Sequence, residues 1–225
     1  MKRISFPTGR HFSAVVCLNA NLPEKFIFDM VSDLPLLVAD GAANNVLSLG
    51  IEPTLVIGDM DSFLNDYRLK LPSNKLLIVP DQETNDFEKI LLFCLRKKYR
   101  DILIFGFHGG ELEHTLNNWS VLKKYSRRLN MCIYDKNRYA IPLHESVELN
   151  VNIGEIISLI PQPKVRLRTH NLEWELNDEI LELGYREGAR NVATGEHLRL
   201  EILDGELLLF INHRLPIAPI FSQPI

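Results

Sequence analysis

The chain has 225 residues, 46% of them hydrophobic and 24% charged, and its formal net charge is -4. That is an ordinary globular balance, large enough for one sizeable domain or two small ones. It excludes any global electrostatic pull toward nucleic acid or anionic lipid.

No run approaches the ~20 apolar residues of a membrane span, and the basic start "MKRISFPTGRHF" leads into no signal-peptide core. Cys17, Cys94 and Cys132 lie far apart inside apolar runs, which fits buried thiols rather than a disulfide framework or a metal site. The expectation is a cytoplasmic protein with neither nucleic-acid nor membrane partners.

In chain order, short apolar runs occur at Ser13–Leu18, Leu36–Ala39, Thr54–Ile57, Lys75–Val79, Asp101–Phe105 and Met131–Tyr134. Helical patterns fall between them at Gly41–Leu49, Asp86–Arg100 and Glu113–Leu129. In "NDFEKILLFCLRKKY", Phe87, Ile90, Leu91, Cys94 and Leu95 share one helical face, with Asn85 placed to cap it. Continuous apolar strands separated by helices predict a doubly wound, mainly parallel α/β domain over residues 1–140.

From about Ile141 the pattern changes to short alternating runs: "SVELNV", "EIISLI", "KVRLRT", "LEWEL", "HLRLEI" and "ELLLFI". They predict an all-β sandwich or partial barrel over residues 141–225, with "LDGE" at Leu203–Glu206 as a hairpin turn.

Ligands of an open parallel sheet bind beyond the carboxyl ends of its strands. Those ends here read "DGAAN" (Asp40, Asn44), "GDMDS" (Gly58, Asp59, Asp61, Ser62), "PDQETND" (Asp81, Gln82, Glu83, Asp86) and "GFHGGELEH" (Gly109, Gly110, Glu111, Glu113, His114). Asp59 and Asp61, at i, i+2 on an extended chain, would point the same way. Converging carboxylates suit a hard divalent cation, and glycines and helix N-termini suit phosphate. Each piece alone also has a plain reading: a solvated turn at Asp59–Asp61, a tight turn at Gly109–Gly110, a satisfied helix residue at His114, a loop brace at Asn44. Their delivery to one rim favours a metal–phosphate site.

"ADGAANNVLSLGIEPTLVIGDMDS", "PDQETNDFEKIL", "GFHGGELEHTLNN" and "NLEWELNDEILELGYREGARN" together resemble the thiamin pyrophosphokinases over nearly the whole chain. The resemblance implies an α/β domain followed by a β-sandwich, a homodimer with the thiamin site between subunits, and transfer of pyrophosphate from ATP to thiamin with Mg²⁺. It places metal binding and catalysis on Asp59, Asp61 and Asp86, with Glu113 as a further ligand. It places substrate contacts on Asp40, Asn44, Gly58, Ser62, Gln82, Gly109, Gly110 and His114, and thiamin contacts on Trp174 and Asn191.

Departures from the family pattern are Ala42 for glycine, Met60 for phenylalanine, Asn85 for threonine, Glu111 for arginine, Glu113 for aspartate and Arg190 for serine. Lys89, Arg138 and Arg190 are candidate phosphate cations, with exposed surface charge the favoured reading of each. An Asp-x-Asp turn also fits a metal-dependent glycosyltransferase, and the change at Glu111 fits a thiamin or nucleotide sensor without catalysis.

Overall fold

In the computed structural model, which describes residues 1–222, the chain divides into two compact units. Phe12–Lys136 forms one, and Met1–His11 joins the chain from Asn137 onward in the other. Residues 223–225, the end of the expected C-terminal domain, lie outside the described residues.

The chain starts with β1 (Lys2–Ser5), which belongs to the second unit. The first unit then runs β2 (Ala14–Cys17), α1 (Lys25–Asp29), β3 (Leu36–Ala39), α2 (Asp40–Ser48), β4 (Leu55–Gly58), α3 (Asn65–Arg68) and β5 (Leu76–Ile78). It continues with α4 (Asp86–Lys97), β6 (Asp101–Phe105), α5 (Leu112–Tyr125) and β7 (Asn130–Asp135).

Its strands pair in the order β7-β6-β2-β3-β4-β5, every neighbour parallel. The winding reverses between β2 and β6, the kind of switch point beyond which such sheets open a crevice. β2, β3 and β6 are buried along their whole length, as their unbroken apolar runs require.

α4 shows how local signals set this unit. Asn85 caps it by accepting the Glu88 N–H at 2.8 Å, Phe87, Ile90, Leu91 and Cys94 are buried, and Lys98 ends it in the left-handed region at φ 62°. The helix therefore stops short of the expected Arg100. Phe107, just beyond β6, packs edge-on to Phe87 of α4 and Trp119 of α5, with ring centroids 6.2 and 5.1 Å away.

The second unit adds β8 (Arg138–Leu143), β9 (Val147–Asn150), β10 (Ile156–His170), β11 (Glu179–Glu182), β12 (Gly188–Val192), β13 (His197–Asn212) and β14 (Ile220–Ser222). β1 lies between β14, antiparallel, and β9, parallel. The fold class read from sequence therefore stands: a parallel α/β unit followed by a β-sandwich unit.

Its centre differs from the expectation. "EIISLI" with "KVRLRT", and "HLRLEI" with "ELLLFI", are not separate strands but the two long strands β10 and β13, which pair along most of their length. Both change register midway, and each half finds a different outer partner. β13 meets β9 through Leu200 and earlier residues, and β8 from Leu207 on; β10 meets β12 first and β11 later. Bent strands that serve two sheets make the corners of such sandwiches.

"LDGE" is accordingly a bulge and not a hairpin. Gly205 has φ +82°, and a Cβ there would lie 2.2 Å from the Lys164 carbonyl oxygen, so only glycine fits the close approach of the two strands. "LEWEL" also forms no strand: only Leu172 makes an isolated bridge, to Ala193. Among the described residues, no helix is long and apolar enough to cross a membrane.

Candidate active site

Asp40, Asp59 and Asp61 follow directly on the ends of parallel strands, and Asp86 opens α4 beyond the loop after β5. β3 stops at Ala39 and α2 begins with Asp40, which is 1% exposed and accepts the backbone N–H groups of Gly41 and Met60 at 2.5 and 2.7 Å. Asp40 lies directly against the end of β4. A Cβ on Gly58 would come within 2.5 Å of the Asp40 Cγ, so the glycine before Asp59 is there to admit a neighbouring carboxylate.

Asp59 and Asp61 meet by a route other than the expected extended chain. Met60 takes φ +70°, and the Asp61 N–H turns back to donate to Asp59 Oδ1 at 3.2 Å. The loop is braced from α2: the Asn44 amide donates to the Ser62 carbonyl at 2.9 Å and accepts the Leu64 N–H at 3.0 Å. The Ser62 hydroxyl donates to Asp61 Oδ1 at 2.9 Å.

The result is a compact set of like charges. Among the described residues, Asp40, Asp59 and Asp61 each present a carboxylate oxygen within 4.8 Å of the others. Burial pushes the Asp40 carboxyl up to about 7, and the charge and hydrogen bond of Asp86 add to the rise against the two backbone donors. Asp59 is held below its ordinary value, first by the Asp61 N–H and then by Gln82, whose amide donates to Asp59 Oδ2 at 3.0 Å.

Lys89 closes the group. Its ammonium is 3.1 Å from Asp86 Oδ1 and 3.6 Å from Asp59 Oδ2. Burial pulls that ammonium down, but the two aspartates outweigh it and leave it above its ordinary value. Lys89 is 5% exposed, so its surface-charge reading is overturned. The signal available in the sequence was its position one helical turn after Asp86.

Other expected residues stand apart from this set. Asp81 turns into its own loop, accepting from the Glu83 N–H and the Thr84 hydroxyl. Gly109 and Gly110 form the left-handed turn between β6 and α5. Glu113 is exposed in the first turn of α5 and is not among the converging carboxylates, and His114 pairs with Glu111 at 3.0 Å on the surface.

Trp174 and Asn191 lie in the second unit and hold each other: the Trp174 N–H donates to Asn191 Oδ1 at 3.1 Å, and the Asn191 amide returns a bond to the Trp174 carbonyl at 2.8 Å. The indole is left 60% exposed on an irregular segment rather than the expected strand. Arg138 donates to the Ile156 and Phe210 carbonyls at 2.7 and 2.8 Å, which makes it a tie between strands.

The donor set fits a hard divalent cation. All its ligating atoms are carboxylate oxygens, and they are within reach of one another.

Residues 32–134, which carry the whole cluster, match the family model described as thiamin pyrophosphokinase, catalytic domain. A thiamine pyrophosphokinase of Oryza sativa subsp. japonica is 27% identical over 232 aligned positions, covering 89% of this chain and 87% of the relative. One of Caenorhabditis elegans is 25% identical, covering 73% and 74%. The solved yeast thiamin pyrophosphokinase superposes with a TM-score of 0.74 at 16% identity, over 92% of this chain and 88% of its own. The resemblance carried by the motifs is borne out: in sequence and in fold, this chain is similar to the thiamin pyrophosphokinases.

Proposed function

We propose that the protein is a thiamin pyrophosphokinase, a diphosphotransferase that takes the pyrophosphoryl group of ATP to the hydroxyethyl oxygen of thiamin. The bond from the thiamin oxygen to the β-phosphorus forms as the bond between that phosphorus and the oxygen of the α-phosphate breaks. AMP leaves with the electron pair, and the hydroxyl proton passes to a carboxylate. The observation that supports this reading is the convergence of Asp40, Asp59, Asp61 and Asp86 inside the stretch that matches the catalytic domain.

Such transfers need positioning and charge neutralisation more than covalent chemistry. Asp59, Asp61 and Asp40 would hold Mg²⁺, whose contribution when bound is to offset charge on the phosphates. Gln82 orients Asp59 through its 3.0 Å bond. Asp86 or Asp61 receives the thiamin proton. Asn44 keeps the Asp59–Asp61 loop in place from α2. The exposed face of Trp174 offers a stacking surface for the cationic thiazolium. In this reading the enzyme works in the cytoplasm as a homodimer, with thiamin bound between subunits.

Incubating purified protein with ATP, Mg²⁺ and thiamin, and separating the products by chromatography, tests it. Thiamin diphosphate and AMP are expected in equal amounts. Thiamin binding without product would make the protein a sensor, and release of a nucleoside diphosphate from a sugar nucleotide would make it a glycosyltransferase.

A further inference from the structure

We propose that Lys89 is the resident cation of the carboxylate cluster: its ammonium holds Asp59 and Asp86 together before a divalent ion arrives, and it limits how tightly that ion binds. This rests on reading the cluster as a divalent-cation site, and it adds a positioning residue which that reading does not include.

The local sequence gives no reason for a lysine here. Lys89 sits in the first turns of α4, after the Asn85 cap, where the helix dipole favours acids and disfavours cations. A lysine is almost never fully buried unless paired, and this side chain is 3% exposed. The neighbouring acid does not supply the partner. Glu88 turns away to α5, where it accepts from Lys124 and from the Tyr125 hydroxyl, the latter at 2.7 Å. The Lys89 charge is therefore directed at Asp86 and Asp59. Local rules broken without local compensation mark functional sites more often than structural ones.

The charge balance explains the arrangement. The ammonium pairs with Asp59 and Asp86, while Asp40 and Asp61 bring their carboxylates against Asp59, and Asp86 also meets Asp40. Without it, the aspartates would repel one another in a partly desolvated setting. With it, the cluster keeps a net negative charge that still attracts a divalent cation, while the ammonium opposes that cation across shared carboxylates. Lys89 thus trades metal affinity for a site that is already assembled when metal and nucleotide come and go. Across about 6 Å, screened by a dielectric near the ~80 of water, repulsion between a single and a double positive charge corresponds to roughly a tenfold change in metal affinity, and a drier site enlarges it.

The test uses the full chain with Mg²⁺ alone, without nucleotide or thiamin, at fixed pH and ionic strength. Thermal melting and calorimetric titration are read for wild type, Lys89→Met, Lys89→Arg and the double variant Asp86→Asn/Lys89→Met. Lys89→Met is expected to melt lower than wild type without metal, to bind Mg²⁺ about tenfold more tightly, and to regain its melting temperature at saturating Mg²⁺. Lys89→Arg should stay near wild type. The double variant should melt above Lys89→Met without metal, because one repelling charge is gone; loss of a packing stem alone would not be rescued in this way.

Equal or weaker Mg²⁺ binding by Lys89→Met overturns the proposal, as does a double variant no more stable than the single one. If Lys89→Met does not fold, the double variant decides: a folded protein supports the proposal and an unfolded one overturns it. Wild type that binds no Mg²⁺ overturns the cation-site reading together with this proposal, whereas equal binding by wild type and Lys89→Met overturns this proposal alone.

Discussion

The two units treat charge in opposite ways. In the β-sandwich unit, the buried Glu155 and the partly buried Asp178 are each matched to arginines. Glu155, whose side chain is fully buried, accepts two bonds from Arg214 at 2.7 and 3.0 Å and two more from the backbone of Asn152 and Asn212. Asp178 accepts from Arg166 at 2.6 Å and from Arg168 at 3.1 Å, and hydrogen bonds from Arg166 hold it below the usual carboxylate range. In the α/β unit, four aspartates cluster with one lysine that pairs with only two of them, and a buried carboxyl is driven up to about 7. Matched charges contribute to the fold, whereas a like-charge cluster works against it and persists where a ligand completes it.

That contrast predicts which substitutions harm catalysis and which harm folding. The largest effect should follow Asp59→Asn, which removes a proposed metal ligand worth several kcal/mol in the transition state, or about a hundredfold and more in kcat. Its melting temperature should change little, and steady-state kinetics beside a melting curve check both. Retained turnover would remove Asp59 from the chemistry. The mirror experiment is Arg214→Ala, which leaves Glu155 buried without its cation. A loss of about 3–5 kcal/mol in urea unfolding is expected, with kcat preserved in the fraction that folds. A catalytic defect without a stability defect would break the contrast between the units.

Gly205→Ala tests the bulge that bends β13. A methyl group in the left-handed region, facing a carbonyl 2.2 Å away, should cost about 1–3 kcal/mol by chemical denaturation. The smallest effect should come from Trp174→Ala. With the indole 60% exposed, stability should hold, while loss of a cation–π contact of about 0.5–2 kcal/mol raises KM for thiamin a few-fold at unchanged kcat. An unchanged KM would reassign Trp174 to the surface.

Most of the α/β unit was legible in the chain because its signals are local. The runs at Leu36–Ala39 and Asp101–Phe105 are strands with those same ends, and Asn85 caps α4 through a side chain three residues from its partner. The placement of the site followed as well, since parallel strands must deliver whatever follows them to one rim. The short elements α1 and α3 carry too few residues for a period to show.

What the sequence by itself determined was therefore the periodic part: which runs are strands, which are helices, and which acids stand at the strand ends. Only the tertiary structure decided the rest, because the deciding partners are distant in the chain. "LDGE" has the letters of a hairpin, but the facing strand β10 makes Gly205 a bulge inside one long strand. β1 carries a weak local pattern and becomes a strand by lying between β9 and β14. Lys89 carries the letter of a surface residue. It is buried because Asp59, thirty positions earlier, and Asp86, a helical turn away, supply the opposite charge that makes burial affordable.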